Sequence, residues 1–164
     1  MPDSVTHLTF GWLFNQQINS CIPDSVTHLT FGFHFNQPMK GCIPDSVSHL
    51  TFGRNFNQPI DSCMPDSVTH LTFGFDFNQP INSCVPESIT HLTFGYCFNK
   101  PIDCCIPDSI THLNFGRDFN QSIDSIPFSV KNISLSGNYK REISEKNVVE
   151  SNDKKMKIFN YCDY

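Results

Sequence analysis

The sequence predicts a mainly β, helix-poor solenoid of 21-residue coils that carries one parallel sheet, and three observations support this. Prolines recur every 21 residues, at Pro2, Pro23, Pro44, Pro65, Pro86 and Pro107, and a fixed period of this length is typical of a solenoid. Each copy holds one or two prolines, which leave no room for a helix of about ten residues. Each copy also holds a β-branched and aromatic run, SVTHLTF in the second copy, which favours a strand.

The repeat also sets the predicted domain limits. Six full copies and one degenerate copy place the solenoid at residues 1–143. Pro127 follows Pro107 after 20 residues, so the sixth copy has lost one residue. Residues 144–164 leave the period, and their apolar side chains are numerous enough for a cap over the last coil. The alternative for this segment is a disordered, charged tail.

Within one coil, the strand is expected to end at a turn around the glycine, and the chain returns irregularly through FNQPI. Coils that stack in register place their strands ~4.8 Å apart, so each sequence position becomes a ladder along the solenoid. Two ladders are predicted to form the core. The first is Phe10, Phe31, Phe52, Phe73, Phe94 and Phe115, continued by Leu135; the second is Phe14, Phe35, Phe56, Phe77, Phe98 and Phe119, continued by Tyr139.

Two polar positions also recur in every full copy. The asparagine after the second phenylalanine is expected to be buried at a bend and to bond the backbone of its own and the adjacent coil. The histidine before the inward leucine should face outward, as a ladder of neutral, stacked imidazoles, with a metal-binding stripe as the alternative. Protonated rings ~5 Å apart would repel one another, so acid should destabilise the sheet.

The cysteines follow the same period, at Cys21, Cys42, Cys63, Cys84 and Cys105. We expect small, buried free thiols here, because five cysteines in a row cannot all pair and no secretion signal is visible. Cys97, Cys104 and Cys162 break the pattern and are expected to be exposed and oxidisable. No CxxC pair is present, so we expect no metal, and we expect no cofactor.

The charge distribution bears on the class of partner. The net charge of −5 divides into −7 for residues 1–125, with four Lys/Arg against eleven Asp/Glu, and +2 for residues 126–164, with seven against five. An acidic body argues against nucleic acid as a partner. No run of about 18 apolar residues suggests a membrane span, and the N-terminus lacks a signal-peptide pattern. We therefore expect a cytosolic or nuclear protein, with the cytoplasm favoured.

The variable positions are the candidate binding residues. The two residues after each strand glycine differ from copy to copy, whereas most other positions of the repeat barely change. Aromatic residues alternate with arginine at the first position, and Arg54 is predicted to stack between Phe33 and Phe75. This composition is typical of an interface hot spot; the alternative is a partly buried rim under loose constraint. The candidates are Trp12, Phe33, His34, Arg54, Asn55, Phe75, Asp76, Tyr96, Arg117 and Asp118.

The recurring FNQPI and IPDSVTHLTFG closely resemble the FNIP repeat family over residues 1 to 143. The resemblance implies a right-handed solenoid related to leucine-rich repeats and used for protein recognition. Val26, Leu29 and Phe31 fit the leucines of LxxLxLxxNxL, but Asn36 falls two residues late. Such repeats are typical of amoebae and of the large DNA viruses that infect them, so the resemblance implies the host cytoplasm if the chain is viral. Many relatives carry an F-box before the repeats, as substrate receptors of ubiquitin ligases; here the repeat begins at Met1 without an F-box.

These observations favour a non-enzymatic protein–protein interaction module. A more specific expectation, which comes from the family resemblance, is a substrate-recognition scaffold linked to ubiquitin ligases. The alternative is a structural homo-oligomer that assembles through an uncapped N-terminal edge, because an open strand edge can pair with another chain. An enzyme is disfavoured, since His, Cys and Asp recur in ladders whereas catalysis needs one unique cluster.

Overall fold

The computed structural model describes residues 4–18, 21–39, 41–60, 64–81, 85–103 and 105–141, and the backbone of 157–161. These residues form one parallel sheet of eight strands in chain order. The described residues contain no helix, and so none that could cross a membrane. The strands are β1 His7–Thr9, β2 His28–Thr30, β3 His49–Thr51, β4 His70–Thr72, β5 His91–Thr93, β6 His112–Asn114, β7 Asn132–Ser136 and β8 Lys157–Tyr161.

The register of the sheet follows the sequence period. Leu8 lies opposite Leu29, and equivalent residues face one another in each pair of strands up to β5 and β6. Between β6 and β7 the partners are Leu113 and Ile133, so the offset falls to 20 residues, as the shortened sixth copy predicts. β8 lies outside the period, and its backbone pairs in parallel with β7.

Both phenylalanine ladders lie in the core, as predicted. Rings of adjacent coils stack with centroids 5.3 to 5.7 Å apart in the first ladder and 6.1 to 6.2 Å apart in the second. Leu135 is buried and continues the first ladder. Tyr139 stacks on Phe119 at 6.2 Å and continues the second. Of the phenylalanines in the two ladders, only Phe10 and Phe14 of the first coil are partly rather than fully buried; Tyr139 at the other end is also partly buried.

The strand glycines bring successive coils into backbone contact. A Cβ added at Gly74 would lie 2.5 Å from the carbonyl carbon of Gly53 and nearer still to its oxygen. The same clash with the preceding glycine would occur at Gly32, Gly53, Gly95 and Gly116. Real Cβ atoms do not approach backbone so closely, and thus glycine is required at this position for packing.

The asparagine ladder joins the irregular returns of adjacent coils. The Oδ1 of Asn57 accepts a hydrogen bond from the backbone N–H of Asn78 at 2.9 Å and one from Gln79 Nε2 at 3.1 Å. Equivalent bonds to the next coil's backbone are made by Asn15, Asn36, Asn78 and Asn99. The predicted inter-coil bonding is therefore confirmed. The predicted burial is wrong: these amides are half-buried, and Asn15 and Asn99 are exposed. The reason is that only the two ends of each return enter the core, as Phe56 and Ile60 do.

Asn57→Ala should lower the free energy of unfolding by about 1–3 kcal/mol, because it removes the acceptor of both donors in the next coil. Asn78→Ala is the matched control. Its amide accepts from the Asn99 backbone N–H, but Lys100 stands where the other coils have glutamine. The control should therefore lose less stability. Chemical denaturation measures both variants, and an unchanged midpoint for Asn57→Ala would contradict this role of the amide.

The predicted burial of the periodic cysteines is wrong for those that the structure describes. Cys21 is exposed. Cys42 and Cys105 are half-buried against the margin of the core, because these cysteines lie just before the proline turn. Cys97, predicted to be exposed, is half-buried, since it lies between the turns of neighbouring coils. Cys63, Cys84, Cys104 and Cys162 lie outside the described residues.

Candidate protein-binding surface

The variable residues occupy a tight turn directly after the strand glycine. In the second coil the backbone N–H of Phe35 donates to the Gly32 carbonyl at 3.2 Å, which leaves Phe33 and His34 at the two central positions of a β-turn. The turns are also tied to one another: the Asn55 N–H donates to the Phe33 carbonyl at 2.9 Å, and the Asp76 N–H to the Arg54 carbonyl at 2.9 Å. Side chains at equivalent turn positions are thus held in register along the solenoid.

The first turn position forms a continuous stack, which we call the post-glycine ladder: Trp12, Phe33, Arg54, Phe75, Tyr96 and Arg117. Trp12 stacks on Phe33 with ring centroids 4.2 Å apart, and Phe75 stacks on Tyr96 at 4.4 Å. The Arg54 guanidinium carbon lies 5.4 Å from the Phe33 centroid and 4.2 Å from that of Phe75. The predicted stacking of Arg54 between these two rings is therefore confirmed. Arg117 ends the ladder, 5.7 Å from the Tyr96 ring.

The ladder is open to solvent along its length. Trp12 is 62% exposed, Arg54 and Arg117 are exposed, and the other three rings are half-buried. Each stacked pair buries ring faces, and cation–π contacts hold the arginines in place. The result is an ordered, accessible strip of aromatic and cationic side chains.

The second turn position forms a more polar row beside the ladder. Asn55 Nδ2 lies 3.2 Å from His34 Nδ1, Asp76 is half-buried, and Asp118 is exposed. Burial raises the pKa of the Cys97 thiol, and the nearby Asp118 and Asp76 carboxylates raise it further, so this thiol is held in its neutral form. Leu13 is not among the binding residues predicted from the sequence, yet it is 77% exposed next to Trp12. Its position in the same variable row is the sequence feature that could have identified it.

The predicted candidates therefore fall into two adjacent rows on one surface. Trp12, Phe33, Arg54, Phe75, Tyr96 and Arg117 lie in the ladder, whereas His34, Asn55, Asp76 and Asp118 lie in the second row. Their role in binding a partner stays a prediction. Among the described residues, no three His, Cys, Asp or Glu side chains lie together as a metal site would need.

A histidine ladder covers the outer face of the sheet, as predicted. Neighbouring imidazoles stack with centroids 4.1 to 4.2 Å apart from His7 to His112. Each Nδ1 lies 2.9 Å from the hydroxyl of the preceding threonine or serine. Burial lowers the pKa of His49, His70 and His91, and neighbouring histidines lower it further. The unfolded chain, with ordinary histidines, therefore binds protons more readily than the folded chain.

The free energy of unfolding should accordingly be highest, as far as the histidines determine it, above their unfolded-state pKa of about 6.5. It should decline as the pH falls below that value. We expect a lower thermal midpoint at pH 5 than at pH 8. The variant His49→Gln/His70→Gln interrupts the row of charges that would form, so its midpoint should change less with pH. A midpoint that stays flat from pH 8 to pH 5 in the unaltered protein would contradict the stacked arrangement.

Comparison with known proteins bears on the family and the fold of the chain. A family model described as FNIP Repeat matches residues 1–34, 35–76, 61–97, 77–118 and 98–138. The crystal structure of CroV588, described as a novel circular LRR protein structure, is similar with a TM-score of 0.83 at 49% sequence identity. The similar region covers 88% of this chain and 22% of CroV588, so the chain spans about a fifth of that protein's length. No curated protein matches the chain.

Proposed function

Since the chain belongs to the FNIP repeat family, we propose that it is a non-enzymatic scaffold that binds protein partners through the post-glycine ladder. The observation that carries the proposal is the continuous stack from Trp12 to Arg117 on turns fixed by backbone hydrogen bonds. Elsewhere the described coils present nearly the same side chains. At this surface the pair of turn residues differs from coil to coil.

Physical arguments favour recognition at this surface. Tryptophan, tyrosine and arginine are the residues enriched in interface hot spots. Their side chains are already ordered by stacking, so less conformational entropy is lost when a partner binds. The chemistry-bearing residues recur in ladders rather than converging on one cluster, which favours binding over catalysis.

More specifically, we propose that this surface recognises substrates for a ubiquitin ligase. The chain would act in the cytoplasm, or in the host cytoplasm if it is viral. The ladder would then hold the protein to be modified. Co-purification of ligase subunits with the chain, followed by ubiquitination of the bound partner, tests this role. If partners bind but carry no added ubiquitin, this more specific proposal fails and the scaffold remains.

The variant Arg54→Ala/Phe75→Ala should strongly weaken partner binding, because it removes two neighbouring members of the stack. Hot-spot residues each contribute about 2 kcal/mol or more, so we expect the affinity to fall at least about hundredfold. Asp45→Ala/Asp66→Ala is the matched control, with exposed residues in the same two coils but outside the ladder. Affinity capture from host lysate, followed by titration of the captured partner, measures both. Equal binding by the two variants would contradict the proposal.

A second candidate function is a homo-oligomer. Within the described chain β1 has a strand on one side only, and the first coil exposes Trp12 and Leu13. Edge strands pair readily with other chains, and the similar CroV588 is described as circular. Light scattering at increasing concentration distinguishes a monomer of 18.7 kDa from multiples of that mass. A constant monomer mass would exclude assembly in that concentration range.

A further inference from the structure

The geometry of the post-glycine ladder determines which chemical groups a partner can present to it. Phe33 has one ring face on Trp12 and the other towards Arg54, and Phe75 is covered by Arg54 and Tyr96. What remains open on these rings is their edges. The edge of an aromatic ring carries the positive part of its quadrupole, so the exposed rim of the ladder favours electron-rich groups.

The two arginines strengthen this preference. A guanidinium that stacks through its face keeps its in-plane N–H groups available. Within the part of the chain that the structure describes, neither Arg54 nor Arg117 donates a hydrogen bond or joins an ion pair. Both are exposed. Each therefore presents a planar fork of donors, which matches a carboxylate in two-point geometry.

The spacing of the forks matches an extended peptide. Arg54 and Arg117 lie three coils apart, with Phe75 and Tyr96 between them, and strands ~4.8 Å apart make this distance about 14 Å. An extended chain rises ~3.4 Å per residue, so side chains four residues apart are also about 14 Å apart. An even spacing places both side chains on the same face of the peptide.

We propose that the post-glycine ladder binds an extended peptide segment of a partner protein in which two acidic side chains lie four residues apart. This rests on the proposed function and specifies the partner's chemistry. The two carboxylates contact Arg54 and Arg117, and the intervening residues cover Phe75 and Tyr96. Main-chain carbonyl oxygens face the ring edges.

The surrounding charges favour such a segment over nucleic acid. Asp76 and Asp118 lie in the second row beside the ladder, and residues 1–125 carry a net charge of −7. These carboxylates repel a continuous polyanion, whereas two carboxylates placed over the guanidinium groups gain the ion pairs. Neutralising the second row should therefore strengthen the binding of an acidic peptide.

The test is a selection from a displayed library of random twelve-residue peptides on the intact chain, with parallel selection on Arg54→Gln/Arg117→Gln. Selected peptides are then titrated by fluorescence anisotropy. We expect enrichment of Asp or Glu pairs four residues apart and a loss of about tenfold for each single Arg→Gln variant. Asp76→Asn/Asp118→Asn should bind about threefold or more tightly, and thermal melting checks that every variant is folded.

Other outcomes separate the two proposals. Peptides that depend on Phe75 but show no acidic pair would overturn the acidic-segment inference and leave the ladder as a protein-binding surface. If no peptide prefers the intact chain to Arg54→Ala/Phe75→Ala, the inference fails, and the lysate capture decides the proposed function separately. A single-stranded oligouridylate that binds as tightly as the best peptide, with loss on Arg→Gln, would replace the acidic peptide by nucleic acid.

Discussion

Gly74→Ala should destabilise the solenoid by at least about 3 kcal/mol, at the upper end of the cost of overpacking. The added methyl group would lie far inside the van der Waals contact distance of the Gly53 carbonyl oxygen and 2.5 Å from its carbonyl carbon, with Arg54 Cα at 3.0 Å. No side chain can rotate to make room, because the clashing atoms are main chain. The coils could separate only by lengthening the hydrogen bonds that join β3, β4 and the turns after them.

Gly11→Ala is the matched control, because it makes the same change at the equivalent position of the first coil. A Cβ there meets nothing within 4 Å among the described residues. The control should be neutral or slightly stabilising, since alanine reduces the conformational freedom of the unfolded chain. Thermal and chemical denaturation of both variants measure the difference. Equal midpoints would show that coils do not approach as closely as Gly53 and Gly74 do here.

Phe77→Ala should cost about 3–5 kcal/mol, the usual range for removing a buried phenylalanine. Its side chain is fully buried, and its ring lies 3.8 Å from the Phe73 centroid within the coil. It also stacks on Phe56 at 6.2 Å and on Phe98 at 6.1 Å in the adjacent coils. The cavity would therefore interrupt the stack in both directions, and the rigid coils on either side leave it little room to collapse.

Phe128→Ala removes the same side chain from a position that is 79% exposed, so it should change the free energy of unfolding by less than about 0.5 kcal/mol. Urea denaturation followed by circular dichroism compares the two. A loss for Phe77→Ala no greater than that for Phe128→Ala would contradict the central place of the second ladder. Two separate transitions in Phe77→Ala would show that the coils before and after it unfold independently.

Much of this fold could be predicted from sequence because one contact pattern is repeated. The 21-residue period fixes which residues lie opposite each other, so the phenylalanine, asparagine and histidine ladders follow from the parallel register. The stack of Arg54 between Phe33 and Phe75 followed in the same way. Burial was harder to predict, because the period tells which residues are neighbours but not how far each lies from solvent. Cys21 and Asn15 show this, since both are exposed.

Other features depend on three-dimensional approach. Ser25, Ser46, Ser67, Ser88 and Ser109 each donate to a carbonyl of the preceding coil at 2.7 to 2.8 Å. Their recurrence was visible, but the carbonyl they reach was not. The sequence indicates a turn at the glycine after each strand, whereas the tightest constraint on this glycine is backbone contact with the preceding coil. β8 could not be placed, because no period extends to it.

The identical strands His-Leu-Thr of β2 to β5 have a consequence for how the chain reaches its native state. Any of these strands can pair with any other at nearly the same energy, so a folding molecule can omit one coil as a loop and lose little beyond that coil's own contacts. Two molecules refolding together can likewise exchange whole coils. The differing turn residues and the shortened sixth copy are then what mark one alignment as correct, and errors of alignment should become more frequent as refolding concentration rises.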